Sequence, residues 1–327
     1  MKKHIINFLL VALLLNLSTP AVFAQSKLNV ILPNKLKQES TGVYVELEDA
    51  VISSKLEKEL KDELEKVYGK ENVEDIFTRI TEIAKAAKAN RPQKLKEEDL
   101  SRESDWYKDQ IIYMFYVDQF GTLTPEKPNK FNDTVGMLGY LKQLGVTTIY
   151  MLPFADSPME DAGFDVKNPQ NVRHDLGGKT QFENFIKQAK EQGFNIKADL
   201  VLNHFSDQHE WFQQALKGDE DKINRFVVRD SMPEYKRYVD EKLGTVAEYT
   251  EDNGEISKRR IIFPEITEHN WRKETINGKD RYFYHTFYPF QLDINWQNPD
   301  VLYYCLETIN YWTSMGIDIF RLDAIPY

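Results

Sequence analysis

The amino-acid sequence predicts an α/β protein in which a helical module precedes a parallel sheet or a βα-barrel. Three observations carry this prediction. Apolar positions recur at helical spacing between residues 54 and 90. From Ile111 onward, short apolar strands alternate with amphipathic helices, the order that parallel βα units require. Roughly 95 residues without that alternation then precede the last helix, and a stretch of that length predicts an inserted subdomain.

The chain begins with a segment that has the pattern of a secretory signal. Lys2 and Lys3 precede an apolar stretch over 5–17, and small residues lead up to Ala24. A membrane anchor is the alternative, but the stretch is shorter than the roughly 20 residues that span a bilayer. We expect a signal peptide at 1–24 and a secreted or periplasmic protein with no membrane attachment after cleavage.

Residues 25–110 are rich in charge and are predicted to form the helical N-terminal module. A first helix is expected over Ser54–Tyr68, where Gly69 ends it. A second helix is expected to begin at Asn72 as its N-cap and to close before Pro92. The charged residues are expected to form the solvated faces of these helices.

The predicted βα units occupy 111–204 and 299–327, and the inserted subdomain occupies 205–298. The predicted strands lie at 111–117, 147–152, 195–202 and 316–322, and the connecting helices at 137–144, 180–192 and 301–315.

The composition excludes several classes of protein. The chain has 52 acidic and 42 basic residues and a net charge of −10, which disfavours a nucleic-acid partner because phosphate backbones attract basic surfaces. Cys305 is the one cysteine, so neither an intrachain disulfide nor a cysteine-rich zinc site is expected.

Polar residues gather where the apolar strands end, which in a βα-barrel is the face that carries active sites. Asp199 lies near the end of the third strand, His204 comes just after it, and Arg321 and Asp323 end the fourth. Residues two apart on a strand share a face, so Arg321 is expected beside Asp323, where it would lower the carboxyl pKa. An ionised Asp at this place suits a nucleophile, although a structural ion pair is the alternative. His204 alone is ambiguous, because a His at a strand end is more often a structural hydrogen-bond partner than a catalytic group.

Aromatic residues also cluster near these strand ends. Such rings could bind sugars, because the C–H faces of sugars pack on aromatic rings. Most of these rings, however, are expected to form the core of the inserted subdomain. The cluster comprises Phe164, Phe205, Trp211, Tyr282, Phe283, Tyr284, Phe287, Tyr288, Phe290 and Trp296.

These motifs together resemble the α-amylase superfamily, glycoside hydrolase family 13. The stretch 199–204 (DLVLNH) resembles its first signature, 316–324 (GIDIFRLDA) its second, and 291–295 (QLDIN) that of the oligo-1,6-glucosidase-like branch. The loop 161–165 (DAGFD) resembles the family's loop after strand two. The resemblance covers 111–327 and implies the N-terminal half of a (β/α)8 TIM barrel, with a B subdomain inserted after strand three. Within the branch, different segments resemble trehalose synthases and amylosucrases.

The resemblance implies a glycoside hydrolase or transglucosylase that acts on α-glucosides such as sucrose, maltose or an α-glucan through a covalent glucosyl-enzyme. By motif, Asp323 is the implied nucleophile, and Arg321 holds it ionised. His204 and Asp161 are implied to bind hydroxyl groups of the reacting glucose. Phe164 stands where the family usually has a stacking Tyr. The calcium loop of some relatives has no match, so neither a metal nor another cofactor is expected.

The chain ends at Tyr327, four residues after Asp323. The resemblance places the general-acid Glu and a further Asp on later strands, and a retaining glycosidase needs two carboxylates about 5 Å apart. We therefore expect a truncated polypeptide that is inactive alone. Two alternatives stay open: a non-catalytic carbohydrate-binding protein, and one half of a split enzyme with a complementing C-terminal half.

Overall fold

A computed structural model describes residues 54–103, 105–121 and 128–325, so the predicted signal peptide lies outside the described residues. The helices are α1 (Ser54–Tyr68), α2 (Val73–Asn90), α3 (Gln93–Ser101), α4 (Phe131–Val135), α5 (Leu138–Gln143), α6 (Gly178–Glu191), α7 (Glu210–Ala215), α8 (Glu220–Ile223) and α9 (Pro299–Ser314). The strands are β1 (Ile112–Phe115), β2 (Thr148–Met151), β3 (Ala155–Asp156), β4 (Asn168–Val172), β5 (Asn195–Val201), β6 (His204–Ser206), β7 (Val228–Arg229), β8 (Tyr235–Asp240), β9 (Gly244–Thr250), β10 (Ile256–Arg260), β11 (Trp271–Ile276), β12 (Lys279–Tyr284), β13 (Gln291–Asp293) and β14 (Ile319–Asp323).

A four-stranded parallel sheet lies at the centre of the fold, in the order β1, β2, β5 and β14. This order is also the order along the chain, as the predicted βα alternation requires. Helices α4 and α5 connect β1 to β2, α6 connects β2 to β5, and α9 leads into β14. The carboxyl ends of the four strands therefore meet at one edge of the sheet.

The segment between β5 and α9 forms small antiparallel sheets, which accounts for the missing alternation in the sequence. Strand β6 pairs with β13, β12 lies between β11 and β7, and β9 lies between β8 and β10. In the first of these pairs, His204 is opposite Asp293. Residues near the two ends of the segment are thus neighbours, close to the end of β5.

The N-terminal helices pack on α9 through an apolar cluster of their own. Leu60 from α1 and Ile80 from α2 are almost fully buried together with Leu302 and Leu306 of α9. The observed α1 has the predicted ends, because its apolar residues repeat at helical spacing up to Gly69. None of the described helices is both long enough and apolar enough to cross a membrane.

Helix α2 begins directly after Asn72, as predicted, but the Asn72 side chain does not cap it, and α3 was missed. Asn72 lies at the N-cap position, but its side chain does not cap the helix; its Nδ2 donates to the carbonyl of Tyr68 at 2.7 Å. Pro92 does follow the end of α2, yet α3 begins at the next residue. Proline is compatible with a helix N-terminus, because the N–H that it lacks has no partner within the helix there.

An ionic cluster attaches α3 to the amino-terminal side of the sheet. The Asp318 carboxylate, 2% exposed, accepts from Lys190 Nζ at 2.5 Å, from Arg102, and from the Ile196 amide at 2.7 Å. Arg102 and Lys190 both also pair with Glu98 of α3, at 2.9 and 2.7 Å. The helical module and the sheet are therefore joined by charge as well as by apolar packing.

Candidate active site

Arg321 joins two carboxylates at the ends of neighbouring strands. Its Nη1 lies 2.7 Å from Asp199 Oδ1 and 2.8 Å from Asp323 Oδ1. Arg321 is opposite Asp199 in the parallel register of β14 and β5, so all three side chains project from the same face of the sheet. The predicted proximity of Arg321 to Asp323 is confirmed, and Asp199 is added as the second partner of the guanidinium.

Tyr150 completes this group from β2. Its hydroxyl donates to Asp199 Oδ1 at 2.8 Å, so that oxygen receives hydrogen bonds from two sides. The other oxygen, Asp199 Oδ2, is buried and has no hydrogen-bond partner among the described residues. Such an oxygen at a strand end is the kind of polar atom that a bound ligand or water satisfies.

Arg321 was predicted to lower the pKa of Asp323, but the net shift of this pKa is upward, so the prediction is wrong. Burial raises the pKa of Asp323, and the negative charge of Asp199 adds to this rise, while Arg321 acts against it. Burial likewise raises the pKa of Asp199. The sequence shows the neighbouring Arg, but the desolvation of both carboxyls follows from packing and outweighs it.

His204 lies in a second polar group beside the first. It is 1% exposed, and its Nε2 lies 3.2 Å from the Phe164 carbonyl and 3.2 Å from Gln291 Nε2. Gln291 Nε2 also donates to Asp161 Oδ2 at 2.9 Å. The two residues that the resemblance implied for sugar hydroxyls, His204 and Asp161, thus lie on either side of one amide group.

Gln291 was not predicted as a site residue. Its position in the QLDIN signature was the available signal, but its contacts depend on the pairing of β13 with β6, which brings residues far apart in the chain together. Burial raises the pKa of Asp161, and the Gln291 hydrogen bond acts against that rise. Gln291 therefore favours the ionised form of Asp161.

Phe164 connects the two groups. The Arg321 guanidinium carbon lies 5.6 Å from the centre of the Phe164 ring, and the Phe164 carbonyl faces His204. The Phe164 amide donates to the carbonyl of Asp161 at 2.8 Å. All five predicted site residues are therefore brought together, with Asp161 and His204 on one side of Phe164 and Arg321 and Asp323 on the other.

A buried carboxylate fixes the loop that carries Asp161. Asp165 is fully buried and accepts from Ser157 Oγ at 2.8 Å, from the Glu160 amide at 2.9 Å and from the Asp161 amide at 3.1 Å. Within this loop Ala162 has φ of 50°, a left-handed conformation that costs a non-glycine residue free energy. We call Asp165 and these three donors the Asp165 staple; its hydrogen bonds offset the backbone strain and set the position of Asp161.

Asn203, His204 and Asp207 lie close together in the sequence and carry side chains of the kind that can bind metal ions. Within the three described ranges no group of three His, Cys, Asp or Glu side chains is arranged to hold a metal ion. Asp207 instead pairs with Arg272 at 2.8 Å.

Comparison with known proteins decides the family. The family described as the α-amylase catalytic domain matches residues 114–327, the part of the chain that contains the whole site. The chain belongs to the α-amylase family, glycoside hydrolase family 13. Its relatives place it in the oligo-1,6-glucosidase-like branch of that family.

Curated relatives in this branch include a trehalose synthase/amylase from Mycolicibacterium smegmatis, which is 31% identical over 228 residues, covering 70% of this chain and 35% of the relative. A trehalose-6-phosphate hydrolase from Escherichia coli is 31% identical over 220 residues, covering 67% of this chain and 36% of the relative. Among solved structures, a trehalose-6-phosphate hydrolase from Bacillus licheniformis has a TM-score of 0.53 at 25% identity, covering 66% of this chain and 35% of that one. An isomaltulose synthase mutant from Erwinia rhapontici, in complex with its substrate sucrose, has a TM-score of 0.54 at 25% identity, covering 67% and 35%. The chain thus spans about a third of the length of these relatives.

Proposed function

We propose that this α-amylase family chain carries the nucleophile and the glucose-binding groups of a retaining enzyme, a glycoside hydrolase or transglucosylase that acts on α-glucosides. The observation that carries the proposal is the Arg321 bridge between Asp199 and Asp323 at the carboxyl ends of parallel strands. That edge of an α/β sheet is where ligands bind and where barrel enzymes hold their catalytic residues.

Asp323 is proposed as the nucleophile. Its free oxygen attacks the anomeric carbon of glucose, the bond from that carbon to the leaving oxygen breaks, and a glucosyl ester of Asp323 forms. Arg321 favours the ionised carboxylate that this attack needs. Burial raises the pKa of Asp323, so this carboxylate becomes protonated at a higher pH than an ordinary Asp. We therefore expect that, as the pH falls, activity is lost at a higher pH than it would be with an ordinary Asp nucleophile.

The second polar group is proposed to hold the reacting glucose. His204 and Asp161 present a ring nitrogen and a carboxylate on the two sides of Gln291, an arrangement suited to adjacent sugar hydroxyls. Phe164 offers a ring between them and Arg321 on which the apolar face of the glucose can pack. Sucrose, maltose and α-glucans are the proposed substrate class.

The leaving group needs a proton from a second carboxylic acid, which we propose comes from further strands of a (β/α)8 barrel. The outer edge of β1 supports this. The side chains of Ile112 and Met114 on this edge strand are 47% and 57% exposed. An apolar edge strand that is exposed to solvent tends to pair with another strand. We propose a complementing C-terminal half, in the same or a separate polypeptide.

We also propose that the segment at 1–24 directs export of the protein.

Hydrolysis of α-glucosyl fluoride tests this function with the whole chain, because fluoride leaves with little help from an acid. We expect fluoride release that is lost in Asp323→Asn and retained in Asp252→Asn, a control at a surface turn. Fluoride release that persists in Asp323→Asn would exclude Asp323 as the nucleophile. If the chain binds glucose but neither the wild type nor any variant releases fluoride, the alternative of a non-catalytic carbohydrate-binding protein is favoured. Maltose hydrolysis that appears only on adding a second chain would identify a split enzyme.

A further inference from the structure

Arg272 of β11 joins the two segments that meet in the β6–β13 pair. Its Nη1 donates to Asp207 Oδ2 at 2.8 Å and to the Pro289 carbonyl at 3.3 Å. Asp207 directly follows β6, and Pro289 lies two residues before β13. We call Arg272, Asp207 and Pro289 the arginine clamp. One guanidinium group, supplied by a third segment of the chain, therefore holds both sides of this strand pair.

Backbone and side-chain hydrogen bonds continue the strand pair beside the clamp. The Asp207 amide donates to the Phe290 carbonyl at 2.7 Å, and Gln213 Nε2 donates to the Asp207 carbonyl at 2.7 Å. The residue after Phe290 is Gln291, which is opposite Ser206 in the antiparallel register. The clamp therefore lies at the end of the pair where Gln291 begins β13.

Gln291 connects the clamped segment to the second polar group of the site. The Tyr288 amide donates to Gln291 Oε1 at 3.2 Å, which fixes one end of the side-chain amide from within the same segment. The other end, Gln291 Nε2, donates to Asp161 Oδ2 at 2.9 Å and lies 3.2 Å from His204 Nε2. Gln291 is fully buried. A displacement of segment 288–291 would therefore move the amide group that lies between Asp161 and His204.

The Arg272 side chain is itself held in one orientation. Its Nε donates to Glu274 Oε1 at 2.8 Å, and its guanidinium carbon lies 5.3 Å from the centre of the fully buried Phe212 ring. A planar guanidinium group directs its N–H groups along fixed lines, which an ammonium group does not. Because the fork is fixed by its own contacts, it can fix the two segments that accept from it.

We propose that Arg272 is a positioning residue for glucose binding, which acts through Gln291 on Asp161 and His204. The clamp holds Gln291, and Gln291 holds the carboxylate and the imidazole in the arrangement that receives sugar hydroxyls. This inference rests on the proposed function for the identity of the sugar. Since β14 carries the nucleophile, and the inserted segment does not, loss of the clamp should weaken sugar binding and leave the bond-breaking step almost unchanged.

The side-chain NH2 signal of Gln291 reports on the clamp by NMR in the whole chain without any sugar, and Gln291→Glu assigns that signal. Arg272→Gln should shift the signal and speed its hydrogen exchange with water. Arg281→Gln is the matched control, because Arg281 on the neighbouring β12 also pairs with two carboxylates, those of Glu220 and Asp230, outside the clamp. It should leave the Gln291 signal unchanged. An unchanged Gln291 signal in Arg272→Gln would overturn the inference, whether or not the chain binds sugar.

Binding and kinetics with glucose and α-glucosyl fluoride separate positioning from a general loss of structure. Arg272→Gln should raise the Kd for glucose and the KM for the fluoride by roughly fivefold, the size of one hydrogen bond, and leave kcat within about twofold. Arg272→Lys keeps the charge without the fork and should show the same split at smaller size, which keeps the test open if Arg272→Gln does not fold. Arg281→Gln should change none of these constants.

Two further results would count against the account. A fall in kcat with unchanged KM in the Arg272 variants would show a smaller folded fraction and overturn the positioning role. If the wild type binds no glucose although Arg272→Gln shifts the Gln291 signal, the proposed function and the role of Arg272 in sugar binding are overturned, whereas the hold of the clamp on Gln291 is supported.

Discussion

The hydrogen bonds of the Asp165 staple predict how much the free energy of unfolding falls when Asp165 is replaced. In Asp165→Asn the side chain keeps its shape, but an NH2 group replaces one carboxylate oxygen. Oδ1 accepts from Ser157 and Asp161, and Oδ2 accepts from Glu160, so either orientation of the amide loses at least one bond and turns a donor toward a backbone N–H. A hydrogen bond to a charged group contributes about 1.5–3 kcal/mol. We expect the free energy of unfolding to fall by about 2–3 kcal/mol.

The assay is urea unfolding together with hydrogen exchange of individual amides. In Asp165→Asn the amides of Glu160 and Asp161 should exchange faster, and binding of glucose should weaken because Asp161 is no longer fixed. Ala162→Gly removes the left-handed strain and should restore about 1 kcal/mol in the variant background.

The control for the staple is Asp156→Asn, a loss of charge in the same part of the chain outside the staple. It should change the free energy of unfolding by less than about 0.5 kcal/mol. The reasoning is refuted if Asp165→Asn unfolds at the wild-type urea concentration with unchanged amide exchange, or if Asp156→Asn loses as much stability.

Three further predictions concern the remainder of the fold. Arg102→Met should destabilise the chain by about 1.5–3 kcal/mol in urea, because Asp318 loses one charged hydrogen-bond donor and keeps Lys190; Lys258→Met, in an exposed pair with Asp240, should leave the urea midpoint unchanged. Tyr68→Phe should cost about 1 kcal/mol through loss of the hydroxyl bond to the Trp296 carbonyl at 2.9 Å, and a thermal midpoint equal to that of the wild type would contradict this contact. Burial lowers the pKa of His285 to about 4; since the unfolded residue takes up its proton near pH 6.5 and the folded one does not, stability should fall by about 1.4 kcal/mol per pH unit from about 6.5 to about 4, and less in His285→Asn. An identical pH dependence in that variant would contradict the assignment.

Much of the architecture could be predicted because it depends on local pattern. The ends of α1 follow from apolar residues at helical spacing and a glycine stop, and the strand–helix alternation gives the order of the parallel sheet. The pairing of Arg321 with Asp323 follows from the two-residue period of a strand. In each case the information lies within a few residues of the chain.

What the sequence did not show depends on contacts between distant segments. Gln291 reaches Asp161 only because β13 pairs with β6. The direction of the Asp323 pKa follows from burial, which the neighbouring Arg321 does not reveal. Asn is a residue type that often caps helices, yet the Asn72 side chain donates to the Tyr68 carbonyl at the end of α1 instead.

The location of a covalent glucosyl group tests the central claim most directly. The whole chain would be treated with 5-fluoro-α-glucosyl fluoride, which reacts as an α-glucoside but leaves the enzyme slowly, and then digested with trypsin. Trypsin cleaves after Arg321, so the peptide that begins at Leu322 has Asp323 as its first acidic side chain. We predict that this peptide gains the mass of one fluoroglucosyl group and that Asp323→Asn does not. A sugar found on the peptide that contains Asp161 or Asp199 would contradict the account.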